Sequence, residues 1–365
     1  MPTPTPPAST RSAAASSTAR RAFSLRGRPR RLTGCELLDT MYSICRRSMK
    51  RNELRKVMPE TSNIDNTASR VAVLGTGTMG AAMARRLLTS RFMVTVWNRN
   101  PEKIQPLVDA GARAAADPAE AVHDADIVLT MLFDEAAVVS VAAQFLAAAR
   151  PGTVWMQSST IGADGMGTVA AAASTRHVPI IDAPVLGTKD PAERGTLTVL
   201  ASGESAAIVA LQPVFDAIGS RTIVVGDRLG AASDLKLVCN TWVASLTAGV
   251  AQSVALARDF GLDPAQFIDA VAGSASDSPY VRIKGATLLE DARAPQFALD
   301  GLLKDLRLAQ RTAGPSNTTP YLDSLEHIYA AASHDGHGHE DVAWVYDAID
   351  NPMITAASAR AASAQ

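Results

Sequence analysis

The stretch RVAVLGTGTMGAAMARRLL, residues 70–88, leaves a chain few ways to fold. A short β-branched run from Val71 to Leu74 leads into Gly75, Gly77 and Gly80, spaced G-x-G-x-x-G. An Ala-, Met- and Arg-rich helical stretch follows at once. Strand, tight turn and helix in this order make a phosphate-binding unit. Gly75 permits the turn, Gly77 lets the backbone approach a pyrophosphate, and Gly80 allows helix and strand to pack closely. The unpaired N–H groups at the helix start attract the anion. The loop Gly75–Gly80, with Thr76, Thr78 and Met79 inside it, is therefore expected to hold a dinucleotide.

Strand and helix signals then alternate through FMVTVW, DIVLTMLF and TVWMQSST, with Ala- and Val-rich helical stretches between them. The pattern predicts a doubly wound α/β domain with a mostly parallel sheet. In such a sheet the ligand crosses the carboxyl ends of the strands, which puts Met131, Leu132, Ser159 and Thr160 near it. The strand FMVTVW ends in Asn98, Arg99 and Asn100, where an NAD-selective fold usually carries an acid for the ribose hydroxyl. A guanidinium there suits a 2′-phosphate, so NADP(H) is expected in preference to NAD(H).

The 365 residues suffice for two domains, and 35 basic against 36 acidic residues leave no general affinity for nucleic acid. Three scattered cysteines, Cys35, Cys45 and Cys239, offer neither a disulfide framework nor a four-ligand metal site, so the cytoplasm is the simplest location. Residues 1–35 hold seven arginines and no acid among Ser, Ala and Pro. Residues 1–68 read as a disordered basic extension, or as translation assigned upstream of a start at Met41, Met49 or Met58. Organelle targeting is the alternative.

From Leu237 to Ala257 no residue is formally charged, and Lys236 heads the run. Asn240, Thr241, Ser245, Thr247, Gln252 and Ser253 interrupt it too often for a membrane span, which leaves a buried helix. Asn240 follows Lys236 by four residues, so both project from one face and can meet one ligand. Read alone, they are a snorkelling lysine and an ordinary helix asparagine.

Five motifs, taken in order, resemble the β-hydroxyacid dehydrogenase family, relatives of 6-phosphogluconate dehydrogenase: GTGTMGAAMARRL, QSST, DAPVLGTKDPAERGTLTVLASG, GAASDLKLVCN and LLKDLRLA. The wording GTKDPAERGTL is most similar to the glyoxylate and succinic semialdehyde reductase branch. The resemblance covers Arg70 to the C-terminus. It implies a Rossmann domain at 69–229, an all-helical substrate and dimerisation domain at 230–365, and a long helix at 231–259 joining them. It also implies a small-molecule substrate and a homodimer or homotetramer.

The resemblance further implies that Lys236 is the catalytic lysine and Asn240 its partner. Thr160 would contact the cofactor, Lys304 would reach it from the helical domain, and Leu186, Gly187 and Thr188 would form the substrate loop. Three positions depart from the family pattern. Leu186 stands where a serine is usual, Gln157 replaces an aspartate, and Gln252 replaces a glutamate of the long helix. Reduction of a small aldehyde or 2-oxo acid by NADPH is the expected activity, with Lys236 answering the charge on oxygen. Imine reduction is the alternative on the same scaffold. Lys236 speaks against it, since those relatives usually carry Asp or Tyr there, whereas Leu186 favours a substrate with no carboxylate anchor. A non-catalytic cofactor-binding module is the third reading, opposed by the presence of both Lys236 and Asn240.

Asp263–Pro264 starts a further helix, and another runs to Gly314. Without the resemblance, Lys304 and Asp305 read as a solvated charge pair. His334, His337 and His339 lie in a glycine-rich turn with no neighbouring cysteine, so no metal site is expected. Tyr280 is a candidate for either the pocket or simple packing.

Overall fold

The computed structural model describes residues 69–314 and 320–351. The expectation for residues 1–68 lies outside them. Six strands form the parallel part of one sheet: β1 Arg70–Leu74, β2 Met93–Trp97, β3 Arg113–Ala114, β4 Ile127–Thr130, β5 Val154–Gln157 and β6 Ile180–Asp182. They lie side by side in the order β3-β2-β1-β4-β5-β6. The chain therefore winds outward from β1 to β3 and returns to lay β4 on the other side of β1. That reversal opens a crevice at the carboxyl ends of β1 and β4. Next come β7 Val185–Leu186, β8 Leu197–Ser202 and β9 Gly219–Gly226. β8 runs antiparallel to β6 and β7 and parallel to β9.

Side chains alternate across β1. Val71 and Val73 enter one core with Met83, Leu87, Leu211 and Phe215, whereas Ala72 and Leu74 enter the opposite core with Phe145, Trp155 and Val169. A strand covered on both faces has no reason to alternate apolar with polar residues, which is why its sequence is continuously apolar.

The long helix Ala231–Asp259 follows the sheet. It starts against β8 and β9, and further along it is enclosed by helices Pro279–Leu289, Leu299–Ala313, Pro320–His334 and Val345–Asp350. Its Ala244, Ala251, Val254 and Ala255 join Leu302, Leu306, Tyr329 and Trp344 in a third core. A mostly parallel sheet followed by a helix-rich part, with a long helix between them, is the architecture expected from the sequence. Burial among other helices accounts for one side of the uncharged run, whereas its Val238, Trp242 and Leu256 are exposed. Among the described residues no helix is long and apolar enough to cross a membrane.

Candidate active site

The phosphate loop is shaped by steric demands. Gly75 has φ +99°, and a Cβ there would lie 2.4 Å from Met131 O; one on Gly80 would lie 2.0 Å from Gly75 O. Gly77 meets nothing within 4 Å, so the space above its backbone is open for a ligand. Gly77 also caps helix Thr78–Thr89 without a side-chain hydrogen bond, and the first turn holds no acid, so its N–H groups remain available to an anion. Buried Thr76 donates its N–H to Asn98 Oδ1 at 3.2 Å, which ties the loop to the end of β2. Asn98 Nδ2 reaches Asn100 O, and Asn100 Oδ1 caps the following turn, while Arg99 points into solvent.

A cleft of about 320 Å³ runs from this loop to the helices. Its sheet side is built from Gly77–Gly80, Met131, Leu132 and Thr160, and its near wall from Val185, Gly187 and Thr188. Lys236, Asn240 and Lys304 close it from the helical side. Leu186 pairs with Thr198 in the sheet and is half-buried. Gln157, in place of an aspartate, is fully buried and uses both ends of its amide: Oε1 accepts from Ser159 N and Thr130 Oγ1, and Nε2 donates to Ser159 O. A carboxylate could not donate the last bond. Ser159 Oγ in turn accepts from Leu132 N at 2.9 Å, joining the two loops at the carboxyl ends of β4 and β5.

Four polar side chains converge from distant elements. Lys236 Nζ donates to Val185 O at 2.7 Å. Asn240 Nδ2 donates to Asp305 Oδ2 at 2.5 Å, and Asp305 Oδ1 pairs with Lys304 Nζ at 2.7 Å. Lys304 Nζ also donates to Thr160 O at 2.6 Å, bridging helix Leu299–Ala313 to the end of the sheet. Desolvation lowers the pKa of Lys236, a shift that Asp305 opposes and Lys304 reinforces. The expected solvated pair of Lys304 and Asp305 is corrected: Asp305 is 4% exposed. Its sequence signal was an acid set among Leu302, Leu306 and Ala309 on the apolar stripe.

Several cleft residues carried no sequence signal of their own. Phe133 is 58% exposed at the mouth, with its ring 5.7 Å from Lys304 Nζ, and Phe297 lines the opposite wall. Ser158 Oγ is buried on the cleft with no partner among the described residues, as is Thr76 Oγ1 beneath the loop. The open space at Gly77, the uncapped helix start and these waiting hydroxyls fit a bound dinucleotide.

Tyr280 is engaged elsewhere, its hydroxyl 2.9 Å from Thr247 Oγ1. Of the three histidines, His337 alone enters a group of ligand type among the described residues, with Glu340 and Asp347. Arg293 donates to both carboxylates, so a guanidinium already supplies the cation.

Residues 70–226 match the family model described as the NAD binding domain of 6-phosphogluconate dehydrogenase. Residues 230–349 match that described as NAD-binding of NADP-dependent 3-hydroxyisobutyrate dehydrogenase. The chain is 30% identical over 307 residues to glyoxylate/succinic semialdehyde reductase 2, chloroplastic, of Arabidopsis thaliana, covering 82% of this chain and 84% of that one. Among solved structures it resembles 3-hydroxyisobutyrate dehydrogenase from Salmonella typhimurium, with a TM-score of 0.72, 29% identity and coverage of 76% and 99%. An imine reductase from Pseudomonas sp. shares the fold at a TM-score of 0.55 and 22% identity, covering 77% of this chain and 99% of that one.

Proposed function

The chain belongs to the β-hydroxyacid dehydrogenase family of NAD(P)-binding oxidoreductases, and from that premise we propose that it reduces a small aldehyde or 2-oxo acid with NADPH, Lys236 donating the proton. The observation that carries this reading is the placement of the Lys236 ammonium inside the cleft, 2.7 Å from Val185 O and beside the Asn240–Asp305–Lys304 chain. When bound, a nicotinamide cofactor supplies the hydride. Gly77–Gly80 would hold its pyrophosphate, and Met131, Leu132 and Thr160 would flank its nicotinamide half.

As a substrate carbonyl gains electrons, negative charge develops on oxygen. An ammonium already out of bulk water stabilises that charge without reorganising solvent, and it gives up its proton more readily than a solvated lysine. Asn240 spends one amide hydrogen on Asp305 and keeps the other for the substrate carbonyl and its oxygen for the hydroxyl of the alcohol formed. Asp305 balances two ammonium groups that would otherwise repel each other. The apolar walls, with Phe297 and Val185, exclude water from the reacting atoms.

Imine reduction is the alternative on the same scaffold, and Lys236 in the cleft is the observation that speaks against it. NADPH oxidation with a panel of aldehydes, 2-oxo acids and cyclic imines tests the reading. Lys236→Ala should lower kcat about 10²–10⁴-fold on carbonyl substrates. Undiminished turnover in that variant, or a cyclic imine consumed faster than every carbonyl, would overturn it.

A further inference from the structure

The long helix begins without a cap of its own. Its first residue is preceded by Gly230, at φ +89°, which has no side chain to accept from the free N–H groups of the first turn. The sheet supplies the acceptors instead. Ala232 N donates to Ser202 Oγ at 3.0 Å, and Ser233 N donates to Asp182 Oδ2 at 2.8 Å. Ser233 Oγ adds a bond to Asp182 Oδ1 at 2.8 Å, and Ser202 Oγ donates to Asp182 Oδ2 at 3.2 Å. Asp182, Ser202 and Ser233 are all fully buried.

A ring then closes. Three residues beyond Ser233, Lys236 turns back and donates to Val185 O, three residues beyond Asp182. We propose that Asp182 is the positioning residue for Lys236: it locks the first turn of the long helix to the ends of β6 and β8, and so sets where the ammonium sits in the cleft. The inference rests on the reading of Lys236 as proton donor.

An ordinary Ser or Asp at the cap position would stabilise the helix start as well, but it would not tie that start to the sheet. Register matters here because each residue turns a helix by about 100°. Slippage at Ser233 would swing Lys236 away from the substrate loop. The other groups that set the charge of Lys236, namely Asp305, Cys239 and Lys304, lie on the helices and cannot substitute for this tie.

Asp182→Ala removes both carboxylate oxygens and leaves the Ser233 N–H without its acceptor. In that variant, amide exchange at Ala232 and Ser233 should quicken about tenfold, as for a lost helix cap. The Lys236 titration, followed by NMR of ¹³C-methylated lysines, should move up toward the ordinary lysine range as water reaches it. The kcat should fall about 10²-fold, the scale of a misplaced catalytic group, with cofactor affinity unchanged. Ser233→Ala, which keeps the backbone bond and is the milder change, should show the same pattern more weakly.

Native kcat in Asp182→Ala would overturn the proposal. So would an unmoved Lys236 titration, or a loss of cofactor affinity that matches the loss of kcat. If Lys236→Ala is itself fully active, the lysine's catalytic role fails, while exchange and titration still report separately on the helix joint.

Discussion

Lys236 holds a charge that its surroundings disfavour. Burial lowers its pKa below the ordinary 10.5, Asp305 and Cys239 raise it again, and Lys304 lowers it further. In carbonyl reduction the ammonium is the working form, so kcat should fall as pH rises through that lowered value. In alcohol oxidation the free amine works, so kcat should rise across the same window. Profiles in both directions check this, and two curves bending the same way would remove Lys236 from proton transfer. The proposed preference for NADPH is tested at Arg99. Its neighbours Asn98 and Asn100 are spent on shaping the loop, whereas the Arg99 side chain is exposed. Arg99→Ala should weaken NADPH binding about tenfold, the loss of one charge-assisted hydrogen bond, and leave NADH binding alone. Fluorescence titration decides it, and NADH binding tighter than NADPH in the unaltered protein would refute the preference.

At the scale of elements, the far wall of the cleft depends on one buried ion pair. Lys284, inside helix Pro279–Leu289, donates to Asp341 Oδ1 at 2.6 Å, and both side chains are about 2% exposed or less. Asp341 also accepts from the backbone N–H groups of Gln296, Phe297 and Ala343, so it fixes the segment that carries Phe297. Lys284→Met would leave a carboxylate buried without its cation, at a cost of about 3–5 kcal/mol. The urea midpoint should drop accordingly, and an unchanged midpoint would mean that the backbone donors satisfy Asp341 by themselves. The long helix shows how far an element can be read from sequence. Its length and burial follow from the uncharged run, but its capping by Asp182 and Ser202 does not, since a glycine at the cap position gives no hint of acceptors on another element.

For the whole molecule, the cleft exists because a sheet with its switch point between β1 and β4 faces a bundle whose helices reach back toward it. Lys304 and Thr160, 144 residues apart in the chain, meet across it. The doubly wound sheet, the phosphate loop, the long helix and the shared face of Lys236 and Asn240 were legible in the sequence. Each rests on short-range physics: glycine sterics, the two-residue period of a strand and the 3.6-residue period of a helix. The family motifs added Lys304 and Thr160. Only the tertiary structure decided that Asp305 is buried between Asn240 and Lys304, and that Asp182 grips the helix of Lys236. Those outcomes depend on how separate elements pack, and a side chain's burial and partners are set by neighbours that local sequence does not name.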